Sequence, residues 1–345
     1  MNSMTCVDIS RVEQELHAGV RATLQKERWK LGDLTLVRKH TAFSRALGRG
    51  ASAAPLAAPL SLDRPHVVLV HGFAQNRYSW HSTRRSVSAW LASEGFDVWN
   101  LELRGHGTSK ARGAPEEFAD YVEDAVTFAS ALGVPAFWVG HSLGGAVAYA
   151  AATRVPMRGV IGIGALFRFA QSNRMLNLLC RMSAMGRGRE ILGGLNVRTR
   201  LAGQLLGRLY SISDIAGYAF PISGWAPGTI EPDILAERLE RGFDWTSLHV
   251  WLDMARWGAS GRFDYETDWQ RVVVPLLVIA GDLDHLMLPE DARVAYDLAG
   301  GADRTLVILD DYTTGGHWGH LDLIVGKEAP THVWPLLRDW MRARA

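Results

Sequence analysis

Short apolar runs, several of them closing on glycine or aspartate, alternate along much of the chain with stretches in which apolar residues return every three or four positions. The runs are HVVLVHG (66–72), DVWNLEL (97–103), AFWVG (136–140), RGVIGIGAL (158–166), PLLVIAG (275–281) and RTLVILD (304–310). They are too short for helices and mostly rich in β-branched residues, which predicts strands buried on both faces. Between them, SVSAWLASEGF puts Val87, Trp90 and Leu91 on one helical face, with Gly95 to end it. Over 115–133, Phe118, Tyr121, Val122, Ala125, Ala129 and Leu132 form one stripe. Pro115 suits the first helical position there, and Gly133 the stop. Further helices are predicted at 144–154, 289–299 and 331–343. Strands alternating with helices predict an α/β fold with a mostly parallel central sheet covered on both faces.

The rhythm breaks twice. Residues 1–65 read as a polar, helix-like start, an edge strand in LTLVRKHTAF (34–43), and an Ala/Pro linker, GASAAPLAAPLSL (50–62). Residues 167–262 hold helix-like pieces, RMLNLLCRMSAM and DILAERLERGF, among Gly/Pro/Ser turns, with no run resembling a buried strand. They are expected to form a helical cap inserted between core segments 66–166 and 263–345, with 1–65 as an N-terminal extension.

Composition narrows the class. Thirty-seven Lys and Arg against 36 Asp and Glu leave a net charge of +1, which gives no support to a nucleic-acid binder. Cys6 and Cys180 are too few for a disulfide framework or a structural zinc site. No secretory signal and no stretch of about 20 apolar residues is seen, so a soluble, cytoplasmic protein is expected.

The chemistry is expected at FWVGHSLGGAVAYA (137–150), where Gly140-x-Ser142-x-Gly144 stands between an apolar strand and an alanine-rich helix. A serine on such a sharp turn projects its hydroxyl above the sheet, and small neighbours let the turn close. A hydroxyl is a poor nucleophile at neutral pH and needs a base, itself oriented by an acid. Past PLLVIAG, Asp284 has room to aim a carboxylate across the sheet edge, whereas Asp282 follows Gly281 directly and suits a turn. After the last strand, GGHWGHLDL offers His317 and His320, and His320 is preferred because LDLIVG would fix its loop. His285 adjoins the acid and His332 opens the final helix, so neither suits the base. Backbone amides of Leu143 and Phe73 are expected to form the oxyanion hole. His71, His106 and His141 are read as structural.

HGFAQNRYSW, RGHGTSK, GHSLGG, GDLDHL and GHLDL, in that order, resemble the α/β-hydrolase superfamily from about residue 66 onward. ARWGASGRFDYETDW and the C-terminal segment are similar to the acid-lipase and esterase branch. The resemblance implies the α/β-hydrolase fold and the triad Ser142, Asp284 and His320, with no metal or organic cofactor. Serine at 142 sets the chain apart from the haloalkane dehalogenase and epoxide hydrolase branches, and from the cysteine-bearing polyhydroxyalkanoate synthases. The expected activity is hydrolysis of carboxylic esters with an apolar acyl group. The alternative is an acyltransferase or thioesterase using the same triad.

Between 168 and 208 eight arginines stand against one acid, Glu190, amid Met175, Leu176, Leu178, Leu179, Met182 and Met185. Such a cap could line an acyl pocket and meet a carrier protein or an anionic interface; solvated guanidinium groups are the plainer alternative. The expected partner is a small or lipid-like ester or thioester.

Overall fold

The computed structural model describes residues 3–42, 60, 63–185, 196–198 and 224–345. Nine strands form one sheet in the order β1-β2-β3-β5-β4-β6-β7-β10-β11. They are β1 (Thr5–His17), β2 (Val20–Leu31), β3 (Leu34–His40), β4 (His66–Val70), β5 (Asp97–Glu102), β6 (Phe137–His141), β7 (Gly159–Ile163), β10 (Leu276–Gly281) and β11 (Arg304–Leu309). From β5 to β11 all neighbours are parallel, whereas β1, β2 and β3 pair antiparallel and join β5 antiparallel. Helices α1 (Val87–Ser93), α2 (Ala119–Leu132) and α3 (Leu143–Ala152) cross between strands and bury their apolar faces on the sheet. Two apolar clusters result, one around Val68, Trp99, Phe128 and Trp138, the other around Val67, Val139, Ile279 and Trp334.

The N-terminal residues differ from expectation. The polar start is no helix: β1 and β2 form a long hairpin turning through Ala18 (φ 46°) and Gly19 (φ 78°). The strand at 34–43 is no edge either, because β3 lies between β2 and β5 and is buried along its length. Arg38 is fully buried against Asp97 at 2.5 Å and Glu27 at 3.0 Å. All of the linker 50–62 except Leu60 lies outside the described residues.

Helix α2 starts four residues later than Pro115 predicts. The Asp120 carboxylate turns back to accept the Glu116 and Glu117 amides, a local bond that competes with the first helical turn. Gly133 ends it in the left-handed region, as expected.

The segment between β7 and β10 contributes helix α4 (Arg174–Ala184) and helices Pro232–Arg241 and Leu248–Ser260. It also carries a small two-stranded sheet, β8 (Asn196–Arg198) with β9 (Trp245–Ser247), which the apolar pattern does not announce.

Candidate active site

In a parallel sheet, ligands meet the carboxyl ends of the strands where strand order reverses. Here that place is the end of β4, which lies between β5 and β6. Ser142 follows β6 directly, with φ 55° and ψ −125°, a conformation costly for a residue bearing a Cβ. Its surroundings impose the turn. A Cβ at Gly140 would stand 2.3 Å from the Gly144 carbonyl oxygen, and one at Gly144 would stand 2.3 Å from that of Val70. Serine between two glycines is therefore a backbone requirement at both flanks. Leu143 is the first residue of α3, so its amide has no acceptor within the helix.

The predicted acid and base, Asp284 and His320, follow the ends of β10 and β11. Asp284 is fully buried, and its Oδ1 accepts the amides of Leu286 (3.0 Å) and Met287 (2.8 Å). Its Oδ2 accepts from His320 Nδ1 at 2.7 Å. A proton held on Nδ1 leaves Nε2 as an acceptor. Gly164, at φ 49°, sits against this pair: a Cβ there would lie 2.9 Å from Asp284 Oδ2 and 3.0 Å from His320 Nδ1. The Ser142 main chain bonds to the same segment, its amide donating to the Ile163 carbonyl and its carbonyl accepting the Leu166 amide, both at 3.1 Å. The His141 ring lies 4.4 Å from the His320 ring, and its Nε2 donates to the His320 carbonyl at 3.1 Å. Asp284 and His320 thus pack against Gly164, and the Ser142 main chain bonds to Ile163 and Leu166 of the same segment.

His317 takes a different partner. It is half exposed and donates from Nδ1 to Asp282 Oδ2 at 2.5 Å, while Asp282 Oδ1 accepts the Trp318 amide. The loop therefore holds two His–Asp pairs, one buried and one at the surface. His285 contributes its carbonyl to Asn173 Nδ2 (2.7 Å), which ties α4 to the Asp284 turn. His332 packs edge-on to Trp318.

Burial first, then the neighbouring His320 and Arg238, hold His141 well below the usual imidazole range. Burial likewise lowers His71, which donates to the Gly72 carbonyl (3.0 Å) and accepts the Leu103 amide (3.2 Å). His106, pushed down to about 3 by burial and by His71, bonds Tyr121 at 2.7 Å. All three are neutral at pH 7. The turn 71–76 carries Phe73 and is knitted to the segment between β7 and β10: Asp244 donates its amide to the Ala74 carbonyl (2.9 Å) and Asn76 its amide to that of Gly242 (3.1 Å).

The sequence reading missed Gly164, Gln75, Asp244, Asp322 and Arg238. Gln75 stands in the quoted string HGFAQ, so position was its only signal. Arg238 reads as one more charge on an amphipathic helix. Among the described residues, one donor set is close enough for a metal ion: Asp282, Asp311 and His317, within 4.8 Å of one another at the surface. Of the cap arginines, Arg168 pairs with Glu266 at 3.1 Å. Arg187, Arg189, Arg200, Arg208 and Glu190 lie outside the described residues. No helix among the described residues is long and apolar enough to cross a membrane.

The sequence model described as "Alpha/beta hydrolase family" matches residues 67–325. A 114-residue stretch is 36% identical to epoxide hydrolase B of Mycobacterium tuberculosis, covering 32% of this chain and 31% of that protein. A 94-residue stretch is 34% identical to phospholipase YtpA of Bacillus subtilis, covering 25% of this chain and 34% of that one. These matches span about a third of each relative's length. Among solved structures, a monoacylglycerol lipase of Paleococcus ferrophilus superposes with a TM-score of 0.58 at 18% identity, covering 82% of this chain and 96% of its own. An esterase of Thermogutta terrifontis does so at 0.51 and 19%, covering 97% and 99%.

Proposed function

The chain belongs to the alpha/beta hydrolase family, and on that footing we propose that it is a serine hydrolase that cleaves carboxylic esters with an apolar acyl group. The observation that carries this reading is the buried Asp284–His320 pair, held at 2.7 Å against Gly164, in the segment whose Ile163 and Leu166 bond the Ser142 main chain. In this reading His320 Nε2 takes the Ser142 hydroxyl proton as Oγ attacks the acyl carbonyl carbon. The carbonyl electron pair moves to oxygen, and the amides of Leu143 and Phe73 stabilise that oxyanion, each by about 3 kcal/mol. Collapse expels the alcohol, which receives the proton from His320. Water then repeats the sequence on the acyl-serine and releases the acid. Asp284, anchored by two backbone amides, keeps His320 in the tautomer that makes Nε2 a base.

An apolar acyl group is supported by the cap. Helix α4 leaves Met175, Leu178, Met182 and Met185 exposed, and Asn173 at its start holds it to the Asp284 turn. Lipase and esterase relatives of the same fold agree with this class of substrate.

A series of p-nitrophenyl esters tests the reading. Ser142→Ala and His320→Ala are each expected to lower kcat by a factor on the order of 10^4 to 10^6. His317→Ala, altering a surface pair, is expected to stay within about twofold of the parent. Turnover surviving in Ser142→Ala, or a loss in His317→Ala matching that in His320→Ala, would remove the assignment.

A further inference from the structure

Arg238, on the inner face of cap helix Pro232–Arg241, is 2% exposed. Its Nη2 donates to Gln75 Oε1 at 2.9 Å, while Nε and Nη1 are buried without an acceptor. No carboxylate pairs with it among the described residues. Burial pushes the guanidinium down only to about 9, so it remains charged at neutral pH. A buried cation without a counter-charge is costly to a fold. Its position suggests what offsets that cost. Gln75 Oε1 and Ser142 Cβ each lie 3.1 Å from the place a Cβ would occupy on Gly72. Gln75 also donates its amide to the Gly72 carbonyl and accepts from Ser79 Oγ at 3.0 Å. Arg238 therefore stands one residue behind the turn that carries Phe73, and its charge is felt at both His71 and His141.

We propose that Arg238 is a positioning residue of this active site: through Gln75 it fixes the oxyanion turn, and its uncompensated charge stabilises the oxyanion formed when Ser142 attacks. This rests on the serine-hydrolase reading above. The unpartnered N–H groups are closed off from solvent, so a substrate carboxylate has no path to them. The guanidinium acts by its field, in a water-excluded site where a fixed charge counts for more than it would in water. Negative charge is absent in the ground state and appears in the transition state, so the effect falls on kcat rather than KM.

The test compares Arg238→Met and Arg238→Lys with the parent on p-nitrophenyl butyrate, a neutral ester, and records thermal midpoints. Arg238→Met is expected to lower kcat about ten- to hundredfold with KM within about twofold. Its thermal midpoint should hold or rise, since an unneutralised buried cation has been removed. Arg238→Lys, which keeps the charge, is expected to recover most of the lost kcat. Unchanged kcat in the Met variant overturns the proposal, as does a kcat loss that follows a lowered midpoint, or a rise in KM alone. Labelling by a fluorophosphonate separates the two levels. A parent protein unlabelled at Ser142 sinks the serine reading itself, whereas a labelled parent with an equally fast Arg238→Met variant sinks only the role of Arg238.

Discussion

Asp322 lies two residues beyond His320 and is fully buried, with Oδ2 accepting the amides of Gly319 (2.7 Å) and Ala226 (2.8 Å). It pins the loop that carries His320 to Ala226, in the segment between β7 and β10. Burial raises its carboxyl to about 7, against the pull of those two amides and of the Thr229 hydroxyl. The sign of the pH dependence follows. In the unfolded chain the group ionises near pH 4, whereas in the fold it keeps its proton up to about 7. The folded state therefore binds more protons between these values, and stability declines as pH rises through that window. Asp322→Asn retains the acceptor and removes the charge. Its thermal midpoint is expected to exceed that of the parent by most above pH 7, with little difference near pH 4. A midpoint difference independent of pH would show that Asp322 does not titrate in this range. Nothing in HLDL distinguishes this carboxylate from a surface one, because its burial depends on residue 226 arriving from the cap. The serine could be read far more readily: the glycines around it answer to local sterics, and local sterics are written in neighbouring letters. The choice between His317 and His320 lies between these cases. Both sit in the right loop, and only the partner that each finds across the sheet edge separates them.

At the scale of elements, every run that reads as a strand forms one, and burial is uniform in β4 to β7 and β10. RTLVILD, expected to be buried on both faces, instead forms the edge strand β11 and is largely half-exposed. The hairpin β1–β2 escaped the reading because its composition, rich in Glu, Gln, Lys and Arg, is that of an exposed helix. Its strands are held by pairing with each other and, for β2, with β3, and hardly by an apolar face of their own, so hydrophobic periodicity carries little signal there. The turn is the local clue: two residues with positive φ suit the tight hairpin turn that favours Asn-Gly. Ala18 at φ 46° is strained where Gly19 is not, since a Cβ disfavours that region. Ala18→Asn is expected to stabilise the protein by about 0.5 to 1 kcal/mol. A urea midpoint higher than that of the parent with an unchanged slope would bear this out, and an unchanged midpoint would count against it.

Across the whole molecule, the antiparallel strands and the parallel core are joined by one buried charge cluster. Arg38 of β3 reaches Glu27 of β2 and Asp97 of β5, and all three side chains are shielded from solvent. Gln25, Trp29 and His40 also bond Glu27, at 2.6, 2.9 and 3.2 Å. These bonds and the Arg38 charge outweigh burial and hold Glu27 at about 2. Its depressed value contributes stability above pH 4 that is lost as pH falls towards 2. A cluster of this kind adds little net energy over an apolar core, yet breaking it is expensive, because the surviving charges stay buried. Arg38→Met strands two carboxylates and is expected to cost about 3 to 5 kcal/mol. Because β3 lies inside the sheet and β5 beside β4, that loss should reach the proposed active site at the end of β4. Tryptophan fluorescence and residual ester hydrolysis, followed through the same urea titration, should then move to lower midpoints together. Were the hydrolytic midpoint to stay in place while fluorescence shifted, the first three strands would be unfolding on their own, and the cluster would be a local fastening with no hold on the catalytic half.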